Sequence, residues 1–150
     1  MADIHVSAER DIAASAQDVY RWLADYLHHH PHFLPPQFAE FDVEEGGVGA
    51  GTVFRYCFTA GGRSRVETMD VTEPEPGRVL METARGSNLV TTFTVTPAGA
   101  VSQVRIDTRW ASAGGIGGFF ERALAPRVLR PVYANELNRL DQYARSQRAA

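Results

Sequence analysis

Residues 116–140 read IGGFFERALAPRVLRPVYANELNRL, and the apolar residues Phe119, Phe120, Ala123, Leu124, Val128, Leu129, Val132, Tyr133, Leu137 and Leu140 recur through them at helical spacing. This stripe predicts one long amphipathic helix beginning near Ile116, the longest element of the chain. Pro126 and Pro131 each lack an amide donor, so the expectation is a helix kinked or segmented there and straight beyond Pro131. An apolar face of that breadth must be buried against something, and the residues before it supply a sheet.

Working back from the helix, the period from about Phe38 onward is alternating. Five or six strands are expected, punctuated at GGVGAG, AGG, EPEPG, RGSN and PAGA, as an antiparallel meander. In TVFRYCFT, Phe54, Tyr56 and Phe58 share one face opposite Val53, Arg55 and Cys57. Val104, Ile106, Thr108 and Trp110 likewise oppose Gln103, Arg105, Asp107 and Arg109. Nearer the N-terminus, His5–Ile12 reads as a first strand. Ser15 then caps a helix carrying Val19, Tyr20, Trp22, Leu23 and Tyr26, which Pro31, Pro35 and Pro36 stop. The fold class is α+β, with residues 1–150 expected to form a single domain.

Composition narrows the function classes. The chain has 150 residues, 44% of them hydrophobic, and a formal net charge of −3, and a chain of this size buries about 70% of its unfolded surface. All 15 basic residues are arginine, which excludes Schiff-base and P-loop lysine chemistry. The arginines are scattered among 18 carboxylates without a basic tract, so nucleic acid is not an expected partner. The single cysteine, Cys57, forms no intramolecular disulfide and fits a reducing compartment. MADIHVSAERD lacks the apolar centre of a signal peptide, and the uncharged run Gly86–Val104 is too rich in Thr, Ser, Gly and Gln to span a membrane. A cytoplasmic protein is expected; nothing in the pattern fixes an oligomeric state.

Strand, short helices, meander and long terminal helix, with the segments VYRWLADY, HPHFLPP, GVGAGTVFRY, VTEPEPGRVL and ERALAPRVLRPVYANELNRL, together resemble the helix-grip fold of the START-like/Bet v 1-like (SRPBCC) superfamily. Within it the chain looks like the polyketide cyclase/dehydrase group. The resemblance implies a curved antiparallel sheet wrapped around the C-terminal helix, with a cavity between them for lipids, polyketides or other hydrophobic molecules. By that resemblance Phe54, Tyr56, Phe58, Met69, Phe93 and Trp110 line the sheet side, and Leu124, Val128, Val132 and Tyr133 close the helix side. Aromatic cyclases of the group carry an inward arginine whose counterpart here falls near Val71, and a tyrosine whose nearest match is Phe38. Neither is matched, so aromatic cyclase activity is not implied.

The candidate chemistry lies on the strand in which Arg63, Arg65, Glu67, Met69 and Val71 alternate. Facing inward, Arg65 would pin a ligand carboxylate or enolate and Glu67 would orient it or move a proton; at the strand's open end the same residues would be surface pairs. His28, His29, His30 and His32 form a local cluster without metal-ligand spacing, read as a polar helix end with one imidazole at the cavity mouth. The glycines of GGVGAG lead into a strand, fit no phosphate loop, and are expected to form a flexible lip that gates ligand access. Cys57 faces away from the cavity. The leading expectation is therefore binding of a hydrophobic or partly oxygenated small molecule without metal or organic cofactor. The alternatives are a polyketide cyclase/dehydratase-type enzyme using Arg65 and Glu67, and a partner-binding module.

Overall fold

The computed structural model describes residues 3–112 and 115–149, the last stretch by backbone alone at 115–120, 122 and 149. Strand β1 (Asp3–Ile12) leads to helix α1 (Ala16–Ala24), a 3-10 turn (His30–Phe33), and strands β2 (Phe38–Glu45), β3 (Val53–Ala60), β4 (Arg63–Glu75), β5 (Val79–Ala84), β6 (Val90–Ala98) and β7 (Val101–Ala111). Helix α2 (Gly115–Ala149) ends the chain. The seven strands form one antiparallel sheet in the order β1-β7-β6-β5-β4-β3-β2. The expected α+β helix-grip architecture is present.

Local chemistry sets each element. The Ser15 hydroxyl accepts from Asp18 N at 3.2 Å, capping α1, and the apolar side of α1 buries Val19, Tyr20, Trp22 and Leu23 on the sheet. The free edge strand β2 carries register shifts, a positive φ of 55° at Glu40, and the exposed acids Glu40, Asp42, Glu44 and Glu45, all of which oppose pairing with another chain.

Of the two expected outcomes at Pro126 and Pro131, segmentation is absent: the 35 residues of α2 run as one helix through both prolines. Each proline removes one amide bond, and the residues around it keep the others. The helix divides by burial instead. Val132, Tyr133, Leu137, Leu140 and Ala144 are buried against β1 and the 3-10 turn, whereas Ala123, Leu124, Arg127, Arg130 and Pro131 are exposed. Asp141 fastens the buried half, accepting from Ala13 N at 2.9 Å and from Arg145 Nε at 3.1 Å. The side chains of Phe119 and Phe120 lie outside the described residues.

Candidate functional site

Cross-strand register gathers a polar row in the middle of the concave face. Val6, Thr108, Thr91, Glu82 and Val71 are successive Cα partners across β1, β7, β6, β5 and β4, and all five are buried. The row on one side is apolar, running Ala8, Ile106, Phe93, Leu80; on the other side lie Ile4 with Trp110, and Ala84 with Met69 and Phe54. Two threonines and a carboxylate thus cross a hydrophobic wall from strand to strand at about 4.8 Å intervals.

The covering elements answer that row with polar groups of their own. From the segment after α1, the Tyr26 hydroxyl donates to Glu82 Oε2 at 2.6 Å, and its ring stacks between His30 (4.6 Å) and Phe54 (4.8 Å). Buried His30 uses Nδ1 on the Leu23 carbonyl at 2.6 Å and turns Nε2 toward Glu136 of α2, 3.8 Å from Oε2, an ion-pair distance rather than a hydrogen bond. Also on α2, the Tyr133 hydroxyl is 2.7 Å from Thr108 Oγ1, which is 2.8 Å from Thr91 Oγ1.

Burial and mutual proximity shift these groups in definite directions. Loss of water pushes the Glu82 carboxyl up to about 7, with His30 and the Tyr26 bond pulling the other way and Glu136 adding to the rise. Burial alone would lower His30, but Glu136 and Glu82 outweigh it and raise the imidazole above its ordinary value. Desolvation holds the Tyr26 and Tyr133 hydroxyls protonated. The result is a buried set of acids and one base in which the Glu82 carboxyl titrates close to neutrality.

Most of the sequence-derived residues face this interior. Phe54, Met69, Phe93, Val132 and Tyr133 are buried, and Tyr56, Phe58 and Trp110 are half-buried against the same core. The inward phase of β4 is as expected, since Glu67, Met69 and Val71 are buried. Arg65 has that phase but lies beyond the covered part of the strand, its side chain 64% exposed and its Nε 2.6 Å from Glu67 Oε1. Glu67 is four residues from Val71 on β4, so this pair stands about 13 Å along the sheet from the Glu82 row. Val128 is half-buried near the β3–β4 turn, where a Cβ at Gly61 would lie 3.8 Å from its Cγ2.

Three expectations are corrected. Leu124 does not close the interior: it is 52% exposed, because at about 100° per residue it sits roughly 120° around α2 from Glu136. The glycine-rich loop is not a free lip. Gly49 N donates to Ala24 O at 2.9 Å, Tyr26 N to Gly47 O at 2.8 Å, and Ala50 N to Glu73 Oε2 at 3.0 Å, tying it to the end of α1 and to β4. His30 is neither surface cap nor mouth residue but sits at the centre of the buried cluster. The other histidines diverge, His28 to Asp25 (3.2 Å), His29 to the Tyr143 hydroxyl (2.6 Å) and His32 onto the Tyr143 ring. Glu82, Glu136, Thr91 and the Tyr26 hydroxyl were not anticipated. The available signal was phase: Glu82 alternates with Leu80 and Ala84, and Glu136 falls inside the helix stripe.

Half-buried Cys57 is a free thiol on the opposite phase of β3 from Phe54 and Tyr56. Among the described residues no three His, Cys, Asp or Glu side chains are placed to hold a metal, and no helix is long and apolar enough to cross a membrane.

Comparison with known proteins follows this geometry. The family described as polyketide cyclase/dehydrase and lipid transport matches residues 3–145. No curated protein sequence matches the chain. Among solved structures, the KanY protein is 32% identical with a TM-score of 0.85, over 97% of this chain and 99% of its own. The Zhui aromatase/cyclase from Streptomyces sp. R1128 is 21% identical with a TM-score of 0.76, over 96% and 94%. A START superfamily protein from Mycobacterium smegmatis is 16% identical with a TM-score of 0.73, over 95% and 98%. The seven-stranded sheet gripping one long helix is the fold these structures share, and the match over nearly the whole length places this chain in the polyketide cyclase/dehydrase and lipid transport family.

Proposed function

We propose that the chain binds a hydrophobic, partly oxygenated small molecule between the concave sheet and α2, its apolar body against Phe54, Met69, Phe93 and Val132 and its polar end at the Glu82 row. The supporting observation is the row itself. A sheet-on-helix core needs no carboxylates, and burying Glu82 and Glu136 beside one imidazole costs stability that apolar side chains of like size would not. Such a cost is kept where the groups meet a ligand. Organic extraction of natively purified protein followed by mass spectrometry tests the reading. A retained apolar molecule at near-equimolar amount, lost from a Phe93→Arg variant that stays folded, is the expected result. Protein that carries nothing and takes up no apolar fluorescent probe would refute it.

A second reading, acid–base catalysis of the cyclase/dehydratase type, is favoured by the Glu82 carboxyl near 7 held by Tyr26 at 2.6 Å. In it Glu82 exchanges the proton, while Arg65, about 13 Å away with Glu67 at the rim, holds a distant oxygen of an extended chain. With a poly-β-ketone that the wild type converts, Glu82→Gln should lower kcat by about 10²–10⁴-fold and Arg65→Ala should lower it as well. Unchanged turnover in both variants would remove this reading and leave binding intact.

A further inference from the structure

Resting on the binding reading above, we infer that the deep end of the interior selects ligands whose polar end donates hydrogen bonds, a hydroxyl or an amine on an apolar body, and rejects carboxylates. The first observation is Glu136. Its side chain is 4% exposed, yet among the described residues Oε2 has no hydrogen-bond partner and the nearest cationic atom is His30 Nε2 at 3.8 Å. A buried carboxylate oxygen without a donor is rare because its desolvation goes uncompensated, so this atom is an acceptor kept for a proton that the protein does not supply.

The second observation is the inventory of what surrounds it. Glu82 accepts from Tyr26, and His30 Nδ1 is occupied by the Leu23 carbonyl, so Nε2 alone of the imidazole is left to face Glu136. The three hydroxyls of Tyr133, Thr108 and Thr91 spend two protons on one another, leaving one for any other acceptor. Arg65 is held by Glu67 at the rim, and Arg139, one turn along α2 from Glu136, has a buried Nε without a hydrogen-bond partner yet is ion-paired with neither carboxylate. Among the described residues His30 Nε2 is the one cationic atom within 4 Å of either carboxylate, so a third anion placed between them meets two carboxylates while a donor meets a vacant acceptor. Titration agrees in direction, since Glu136 contributes to raising the Glu82 carboxyl.

The test uses three probes sharing one fluorescent body, naphthalene-ethanol, naphthalene-ethylamine and naphthalene-acetate, titrated into the full chain at pH 8. The alcohol, the amine or both should bind at least about tenfold more tightly than the acetate, a difference of about 1.4 kcal/mol. Amine above alcohol identifies charge as the larger contribution; parity identifies the hydrogen bond. Glu136→Gln, near-isosteric and checked for folding by circular dichroism, should shrink the preference several-fold. Acetate binding as tightly as the alcohol overturns the inference and leaves the binding reading standing, as does a preference unchanged in both Glu136→Gln and Glu82→Gln. If none of the three binds, the binding reading itself falls, and the inference with it.

Discussion

Glu82→Gln is the most informative single change, because the amide keeps the shape and can still accept from the Tyr26 hydroxyl while it removes the titrating proton. In the native state the Glu82 carboxyl titrates near 7, against an ordinary value of 4.5. The folded protein therefore binds more protons than the unfolded chain between those values, and stability falls as pH rises through them. Integrating that difference from pH 5 to pH 8 gives a loss of about 2–3 kcal/mol at about 1.4 kcal/mol per unit. His30 acts with the same sign, since its native value is also raised: its contribution is full below its ordinary range and fades as pH rises past its native value. Removing Glu82 also weakens that contribution. The variant should thus gain on the wild type by about 2–3 kcal/mol between pH 5 and pH 8, read as the gap between two urea-unfolding series followed by tryptophan fluorescence. Parallel profiles, within about 0.5 kcal/mol across that range, would show that Glu82 titrates like a surface acid and would refute the picture of a desolvated row.

Two further changes probe the frame around the row. Leu140→Ala, in the buried half of α2, should cost about 2–5 kcal/mol of unfolding free energy, whereas Leu124→Ala, half exposed, should stay within about 0.5 kcal/mol; equal losses would refute the division of the helix. Asp141→Ala strands the Ala13 amide and the Arg10 and Arg145 guanidiniums and should cost about 1–3 kcal/mol at pH 7. Because the native Asp141 carboxyl lies below its ordinary value of 3.8, the difference between variant and wild type should narrow as pH falls below that value; a gap independent of pH would place the effect in packing instead.

Much of this molecule is legible in its period, and the part that is not has a physical reason. The alternation of β3, β4 and β7 and the stripe of α2 each follow from local spacing, so the fold and the apolar lining can be read from the chain. Glu82 and Glu136 are readable in the same way, one by one, as acids in apolar phase. What period cannot supply is the row. Thr108, Thr91 and Glu82 become neighbours only through register across three strands, which the β5–β6 and β6–β7 turns set. Nor does the run of histidines say which imidazole is buried. That depends on the turn after α1, where Asp25 accepts from Leu27 and His28 and the His30 amide bonds back to Asp25 O. Arg65 marks the opposite limit: its phase is right, but how far the cover extends along β4 is a property of α2.

The division of α2 bears on the proposed binding reading. Its second half is fixed by apolar packing on β1 and by Asp141, interactions that cost several kcal/mol to lose. In the first half Ala125 and Leu129 pack partly buried against the core, Glu121 accepts from Trp110 Nε1 at 2.9 Å, and half-buried Val128 stands near Gly61. These residues bound the side of the interior nearest Trp110 and the β3–β4 turn. The Arg65–Glu67 pair stands on that side, whereas the glycine-rich loop, bonded to α1 and Glu73, stands at the other end of β3. On the proposed binding reading, a ligand that enters on that side would pass the exposed Arg65 guanidinium before the buried carboxylates, so the two charged sites would act in series, encounter at the rim and hydrogen-bond donation at depth.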